Sequence, residues 1–205
     1  FTPLHTAAAE GNELTVFRLI SEGANLQALT AQGSNLYQCA AASNDVQLLK
    51  YLAAKGLDPH HLNQEHLSAL HVAIKNHAFL TVEHLLELGL DPNARTTDGR
   101  TPLMFASYTR SYDIELLLKH GADIHARDNK GQTALHYAAL AEEAYLYKDL
   151  VKHGADPEAK DNNGKTPYMI AKEAKQKRDD AEYEKQPNAD PVGDIVRSRR
   201  KIFEL

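Results

Sequence analysis

The apolar positions of this chain fall into paired segments that recur with a fixed period. A short phrase with an apolar or aromatic third position and an alanine sixth begins at 2, 35, 68, 101, 133 and 166, at spacings of 33, 33, 33, 32 and 33 residues. After each of the first five phrases, a second apolar segment ends at a glycine: Gly23, Gly56, Gly89, Gly121 and Gly154. This periodicity indicates one small unit stacked on itself, since a single unit is too small to bury its own apolar face.

Each unit predicts two short helices. Thr, Asn or Ser opens every phrase, and the side-chain oxygen of these residues can accept a backbone N–H at a helix start. Pro3, Pro102 and Pro167 follow at the first helical position, where a missing N–H costs little. The second segment has apolar residues three and four apart, as in Val82 and Leu85, and its closing glycine can end a helix in the left-handed conformation. The pattern therefore predicts an inner helix, a turn and an outer helix in every unit.

These units resemble ankyrin repeats. The matching features are the T-P-L-H-x-A phrases, the D-x-x-G tips at 128–131 and 161–164, and the segments "GADIHA" and "GADPEA" that leave the outer helices. The resemblance covers residues 1–174 and implies an all-α solenoid of six repeats with short hairpin tips, the last repeat being divergent. It also implies a protein-interaction module whose specificity resides in its variable surface.

Four repeats carry informative departures. The second replaces the proline and histidine of the phrase with Leu36 and Gln38, which weakens the prediction of its inner helix. The third has His66 where its tip should have glycine. The fourth is one residue short, and the segment from Ala106 to Ile114 places the deletion in the turn between its helices. The fifth lacks the glycine of that turn, so its first helix is expected to run on.

Residues 175–205 leave the repeat pattern and predict a charged extension followed by a C-terminal capping helix. Helix-forming residues of mixed charge fill 172–186, and Asp190 and Pro191 can begin a new helix. Its apolar face would contain Val192, Ile195, Val196, Ile202 and Phe203. The basic run Arg197–Lys201 is either a site for phosphate or an acidic partner, or the solvated face of this cap. Because the first repeat begins without a tip, we also expect a segment before Phe1 in the parent protein.

Composition argues against several classes of protein. The 205 residues include 23 Lys and Arg against 28 Asp and Glu, a net charge of −5, so binding to nucleic acid is not expected. No apolar run is long enough to suggest membrane insertion. The single Cys39 excludes an intramolecular disulfide and fits a reducing compartment. We therefore expect a cytoplasmic protein, located in the host-cell cytosol if its parent is a secreted bacterial effector.

The chain offers no catalytic constellation. It lacks a glycine-rich phosphate loop after a strand, a Ser/His/Asp order and a carboxylate pair set apart from the repeat, so no enzyme activity or cofactor is predicted. Cys39, on an inner helix, is expected to be a buried, inert thiol. The cluster of His60, His61 and His66 lies at a variable turn without zinc-like ligand spacing, and no metal site is predicted. For the histidines of the phrase, the resemblance implies structural hydrogen bonds; these are His5, His71 and His136.

The candidate binding surface follows from the resemblance. In ankyrin arrays the variable surface is the concave side, made of the tips and the ends of the inner helices, which we call the tip side. Tyr108 is the only aromatic residue among the inner-helix ends, and Tyr and Arg often dominate binding energies. Two interpretations remain open: Tyr108 and Arg100 contact a partner, or Tyr108 packs on its neighbouring helix and Arg100 is solvated. The predicted partner-binding residues, in repeats three to five, are Leu67, Lys75, Arg100, Tyr108, Thr109, Asn129, Lys130, Gln132 and Leu140.

Three functions fit these features. The first is a monomeric module that binds a protein partner through the tip side. The second is the recruiting domain of a larger enzyme whose catalytic domain lies outside this chain, by analogy with divergent arrays in bacterial effectors. In the third the array is itself a substrate, because Asn93 lies at an exit turn where the family can be hydroxylated in animal cells.

Overall fold

The structure is a computed structural model that describes residues 2–111, 113–142 and 144–184, and in these ranges the chain forms helices and turns without strands. The inner helices are α1 (Pro3–Ala9), α3 (Leu36–Ala40), α5 (Ala69–Lys75), α7 (Pro102–Thr109), α9 (Ala134–Ala141) and α11 (Pro167–Glu184). The outer helices are α2 (Glu13–Ser21), α4 (Val46–Ala54), α6 (Phe79–Glu87), α8 (Ile114–Lys119) and α10 (Ala144–Lys152). The predicted all-α solenoid is confirmed.

Stacking of the inner helices creates one continuous core. Each inner helix packs on the inner helices of the neighbouring units. The inner helices α1, α3, α5, α7 and α9 also pack on the outer helix of their own unit. The alanine that ends each phrase has no exposed surface in repeats two to five, and its small side chain lets the helices approach closely; these residues are Ala40, Ala73, Ala106 and Ala138. A cluster of buried apolar side chains runs from Leu4 to Ala155. Stability therefore depends on contacts between neighbouring units.

The phrase histidine has a structural role in the buried helix starts. The Ser68 hydroxyl oxygen lies 2.8 Å from His71 Nδ1, and the Ser68 backbone N–H donates to the same nitrogen at 3.2 Å. In the second repeat Gln38 replaces the histidine, and its Nε2 donates to the Leu67 carbonyl at 2.6 Å and to the His61 carbonyl at 3.0 Å. Gln38 thus ties α3 to the next tip, and α3 forms despite its departures.

The tips form a ladder along one side of the array. Within the tip of the fifth repeat, Asp128 Oδ1 accepts the backbone N–H groups of Lys130 and Gln132 at 2.9 and 2.8 Å. Between tips, the Asn129 N–H donates to the Asp98 carbonyl at 3.0 Å. His66, in place of the expected glycine, adopts a φ of 55° in the left-handed region. The conformation that the tip requires is kept, although the residue is not glycine.

The structure corrects the prediction for the fifth repeat. Its first helix does not run on: α9 ends at Ala141, and the outer helix α10 begins at Ala144. Glu142 adopts a φ of 59°, which turns the backbone out of the right-handed helix. Arg110 adopts a φ of 62° at the end of α7. A charged residue therefore takes the place of the helix-ending glycine in both repeats.

The deletion in the fourth repeat lies at the start of its outer helix. The Ser111 N–H donates to the Ala106 carbonyl at 2.9 Å, as the Ala78 N–H donates to Ala73 at 3.0 Å in the third repeat. The turn is thus intact, and α8 has 6 residues where α6 has 9. The missing residue therefore lies between Ser111 and Ile114, within the segment from Ala106 to Ile114 that the sequence indicated.

The last described helix is much longer than the other inner helices. α11 has 18 residues, against 8 in α9, and so continues past residue 174 into the charged extension. The capping helix predicted from Asp190 and the basic run 197–201 lie outside the described residues. In the described part of the chain, no helix combines the length and apolarity needed to cross a lipid bilayer.

Candidate functional site

A cavity of about 390 Å³ opens between the tips and inner helices of repeats three to five. Three aromatic side chains, a methionine and side chains of both charges surround it. Its lining residues are Glu65, Leu67, Lys75, Thr96, Thr97, Asp98, Arg100, Met104, Phe105, Tyr108, Thr109 and Tyr137. Tyr137, the third aromatic residue, comes from the next inner helix, α9. The cavity thus joins side chains from three consecutive repeats.

The floor of the cavity is apolar because the fourth repeat has lost its phrase histidine. Met104 occupies that position and is 1% exposed. Its sulfur accepts the Thr101 backbone N–H at 3.5 Å, so the helix start keeps a partner. In the fifth repeat, the corresponding imidazole of His136 lies 3.2 Å from the Lys165 carbonyl oxygen. The thioether of Met104 is much less polar than an imidazole, so it gives the cavity a less polar floor.

Two tyrosines form one wall. The rings of Tyr108 and Tyr137 are nearly perpendicular, at 88°, with their centroids 6.3 Å apart. Tyr137 is nearly buried, and its hydroxyl donates to Asp128 Oδ2 at 2.8 Å. Burial and this hydrogen bond raise the pKa of Tyr137, so its ring is held neutral and in place. Tyr108 is 56% exposed and presents most of its ring to the solvent.

Arg100 forms the opposite wall and is held from two sides. Its Nε lies 2.6 Å from Asp98 Oδ2, and its guanidinium carbon lies 4.7 Å from the centre of the Phe105 ring. Burial alone would raise the pKa of Asp98, but the hydrogen bond from Thr96 and the charge of Arg100 bring it below its usual value. Asp98 therefore stays ionised and pairs with Arg100, whose guanidinium carbon lies over the Phe105 ring.

The charges around the cavity nearly balance. Arg100 and Lys75 face Asp98 and Glu65 among the lining residues. Only Arg100 and Asp98 form an ion pair with each other. Lys75, exposed at the end of α5, makes no ion pair with any residue in the described ranges. Lys75 is therefore the lining cation that pairs with no described carboxylate.

Five of the nine residues predicted for partner binding line this cavity: Leu67, Lys75, Arg100, Tyr108 and Thr109. The other four lie outside its lining: Asn129, Lys130, Gln132 and Leu140. The Asn129 side chain donates to the Thr97 carbonyl at 3.0 Å, so it joins neighbouring tips. Tyr108 contacts Tyr137 but remains exposed, and Arg100 lies over Phe105 beside Asp98 rather than being freely solvated. Contact of Tyr108 and Arg100 with a partner stays a prediction.

The sequence prediction missed seven of the twelve lining residues, and three of these form the floor and walls of the cavity: Met104, Phe105 and Tyr137. A signal was available for each of them. Met104 replaces the phrase histidine, and the fifth position of the phrase is aromatic only in repeats four and five. These changes fall on adjacent inner helices, where stacking brings them together.

The other polar side chains considered for chemistry are engaged in the scaffold. His61 Nε2 lies 2.7 Å from the Gly33 carbonyl oxygen. The described residues contain no group of three or more His, Cys, Asp or Glu side chains placed to hold a metal ion. Cys39 is buried, and burial raises the pKa of its thiol to about 11.

The Asn93 side chain donates to the Gly121 carbonyl at 2.8 Å and accepts the Asp123 N–H at 2.7 Å. Its hydroxylation stays a prediction.

Repeated helix pairs with laddered tips define this protein as a helical-repeat array, the kind of fold that serves as a protein-interaction module. The family of ankyrin repeats matches residues 36–128, 70–161 and 114–183, and a single ankyrin repeat matches residues 1–31. The chain therefore belongs to the ankyrin-repeat family, as its phrases and tips predicted.

Curated relatives match this chain over part of its length. The chain is 32% identical over 111 residues to the nuclear factor NF-kappa-B p105 subunit of Gallus gallus. It is 37% identical over 75 residues to a putative ankyrin repeat protein of Rickettsia bellii. These matches cover 51% and 36% of this chain but only 11% and 9% of those proteins. The chain therefore spans about a tenth of their length.

A solved structure matches nearly the whole array. It is a chain in the complex of the predatory endopeptidase Bd0816 from Bdellovibrio bacteriovorus with immunity protein Bd3460. That chain superposes with a TM-score of 0.73 and 26% identity, over 86% of this chain and 94% of its own length.

Proposed function

We propose that this array binds a protein partner through the tip side of repeats three to five, with an apolar side chain of the partner inserted in the cavity. The observation that carries the proposal is the aromatic cavity itself, which has an exposed Tyr108 on its wall and a buried Met104 on its floor. Aromatic and arginine side chains at a concave site are the groups that most often dominate binding energy.

The walls of the cavity are fixed before a partner arrives. Tyr137 is held by Asp128, and Arg100 by Asp98 and Phe105. Side chains already held in place lose little conformational entropy on binding, so more of the contact energy becomes affinity. The volume lies at the lower end of the range for ligand pockets, which fits one anchoring side chain better than a large ligand.

The anchor of the partner is expected to have an acidic neighbour. Lys75 lies at the edge of the apolar cavity and has an available ammonium group, whereas Arg100 is already paired with Asp98. A carboxylate beside an apolar anchor would pair with Lys75 without breaking a contact of the array. The endopeptidase–immunity protein complex supports a protein partner, because it contains a chain of similar fold.

The test measures the affinity of a partner purified from the source cell. Tyr108→Ala and Arg100→Ala are each expected to weaken binding on the order of thirtyfold, which corresponds to about 2 kcal/mol for a hot-spot residue. Tyr145→Ala is the matched control, since Tyr145 is 69% exposed on α10 and is not part of the cavity. Unchanged affinity of both cavity variants, with the fold intact, would refute this placement.

The second candidate is the recruiting domain of a larger enzyme. The observation that favours a larger parent is the small share of the relatives that this chain covers. In that case the same tip side delivers the partner to a catalytic domain. Sequencing the gene around the codons for this chain decides the matter: an adjoining catalytic domain in the same frame supports it, and a frame without one rejects it.

A further inference from the structure

The outer helix of the fourth repeat begins at a buried aspartate. Asp113 directly precedes α8 and is 1% exposed. At the same distance from the closing glycine, repeats two, three and five have Leu48, Thr81 and Leu146, all of which are also buried. A carboxyl group therefore lies where the neighbouring repeats have an apolar side chain or a hydroxyl.

Only one of the two carboxyl oxygens of Asp113 has a partner. The Ser111 hydroxyl donates to Oδ2, whereas Oδ1 is buried without a hydrogen-bond partner among the described residues. The side chain also accepts no N–H group at the start of α8, although an aspartate that begins a helix commonly does so. Because a buried carboxylate is costly unless its oxygens are paired, this geometry favours the neutral form of Asp113.

The third repeat shows what a neutral group can do at this position. Thr81 Oγ1 donates to the Ser43 carbonyl at 2.9 Å, which ties α6 to the turn of the preceding repeat. One repeat later, the same two positions hold Asp113 and Asn76. A protonated carboxyl has one O–H donor, as a hydroxyl does, whereas a carboxylate can only accept.

The charges around Asp113 do not compensate for its burial. Burial raises the pKa of Asp113 by more than the hydrogen bond from Ser111 and the charge of His77 lower it, so the pKa lies above its ordinary value. Three other charged side chains belong to α8 or to the turns around it: Arg110, Glu142 and Glu115. The first donates to a carbonyl of α9, the second pairs with Arg178 and the third is exposed.

We propose that the start of α8 is a pH-dependent switch: Asp113 holds a proton while the fourth repeat is closed, and the start of α8 opens locally when that proton passes to water. In the closed state the Oδ1–H group donates to the Asn76 carbonyl, as Thr81 donates to Ser43. Loss of the proton removes the donor and leaves a buried, half-paired carboxylate, which gains hydration when the helix start opens. The switch needs no partner, so it does not depend on the proposed function.

The direction of the response follows from proton linkage. As the pH rises above 3.8, the ordinary value for an aspartate, the unfolded chain loses a proton that Asp113 still holds in the folded array. Stability therefore falls as the pH rises towards the pKa of the folded array, and it does not recover at neutral pH. Burial of His71 gives a response of the opposite sign, which cancels when two proteins that both contain His71 are compared.

Hydrogen exchange in the full chain tests the switch through Asp113→Asn. Asparagine has the shape of a neutral carboxyl and an N–H donor, but it has no proton to lose. The Leu117 amide donates to the Asp113 carbonyl at 2.9 Å. At about pH 7 this amide is expected to exchange about tenfold more slowly in the variant than in the wild type. At about pH 4 the two proteins should exchange at the same rate, because Asp113 is then protonated.

Asp45→Asn is the matched control. Asp45 begins α4 as Asp113 begins α8, but its Oδ1 accepts the N–H groups of Gln47 and Leu48. The control should not slow exchange in α4 at either pH. Asp113→Thr copies the third repeat and should slow exchange of the Leu117 amide as Asp113→Asn does. Equal exchange in the wild type and Asp113→Asn at both pH values, or the same slowing at both, would overturn the proposal.

A carbon-13 NMR titration of the Asp113 carboxyl in the full chain follows the proton without any substitution. The midpoint for Asp113 is expected above the ordinary value of 3.8. A midpoint at or below that value would show that the closed repeat holds an ionised Asp113. That result would refute the switch even if the Asp113 variants failed to fold.

Discussion

The guanidinium carbon of Arg100 lies 4.7 Å from the centre of the Phe105 ring, so a tip and an inner helix of the same repeat meet in a cation–π contact. Asp98 holds the same guanidinium on its other side at 2.6 Å. The pair gives the cavity a rigid wall that combines a flat cation with an aromatic face.

Arg100→Lys is expected to weaken partner binding by about 1–2 kcal/mol, nearly as much as Arg100→Ala. Lysine keeps the charge, but its ammonium cannot both pair with Asp98 and lie flat on Phe105. Titration calorimetry with the purified partner measures the loss. Arg18→Lys is the control, because Arg18 pairs with Glu22 on exposed α2; wild-type affinity in Arg100→Lys would contradict the stacking role.

Tyr137→Phe is expected to lower the free energy of unfolding by about 1 kcal/mol, because it removes the hydrogen bond from the Tyr137 hydroxyl to Asp128. Asp128 still accepts two backbone N–H groups through its other oxygen, which limits the loss. Urea denaturation followed by circular dichroism gives the value. Tyr108→Phe removes an exposed hydroxyl and should change stability by less than about 0.5 kcal/mol. A larger loss in Tyr108→Phe than in Tyr137→Phe would reverse the assignment.

Acidification is expected to destabilise the array through His71. Burial lowers the pKa of His71 to about 4, from an ordinary value of 6.5. Between these two values the unfolded chain binds a proton that the folded chain excludes, so stability falls as the pH falls. By pH 4 this group contributes a loss of about 3 kcal/mol.

His71→Gln isolates this contribution, because Gln38 fills the same position in the second repeat without a titrating group. The variant should lose less stability than the wild type between pH 6.5 and 4, measured by urea denaturation at each pH. The lowered pKa of His136 remains in both proteins and cancels in the comparison. Parallel curves for the two proteins would show that His71 does not control the acid response.

Gly131→Ala is expected to cost about 2–3 kcal/mol of stability, more than Gly121→Ala at about 1 kcal/mol. Both glycines have a positive φ, 75° and 90°, so both variants strain the backbone. A Cβ at Gly131 would overlap Asn162 Oδ1 and lie 2.9 Å from the Asn162 backbone nitrogen, whereas one at Gly121 meets nothing within 4 Å. Thermal unfolding of the two variants measures the difference. Equal losses of stability in the two variants would mean that neighbouring tips move apart readily enough to accommodate the added Cβ.

The fold could be predicted from the sequence because its signals are local and repeated. Thr133 and His136 lie three residues apart, so the bond that starts a helix is fixed within one phrase. Predictions at single positions were weaker. Glu142 ends α9 in a left-handed conformation that its residue type does not announce, and Gln38 replaces a histidine by reaching carbonyls 23 and 29 residues away.

The candidate site was only partly predictable, for a related reason. Tyr108 and Arg100 stood out because each is unusual at its own repeat position, and both line the cavity. Tyr137 and Met104 were overlooked, because their importance depends on packing across two repeats rather than on either repeat alone.

By itself, the sequence determined the period, the helix pairs, the tips and the ankyrin family, since each follows from residues close together in one repeat and multiplied six times. Only the tertiary structure decided which variable side chains meet. It brought Leu67, Arg100 and Tyr137 from three repeats around one cavity. The physical reason is that contacts between stacked units depend on helix length and turn geometry, which single residues such as Arg110 and Glu142 set through their backbone conformation.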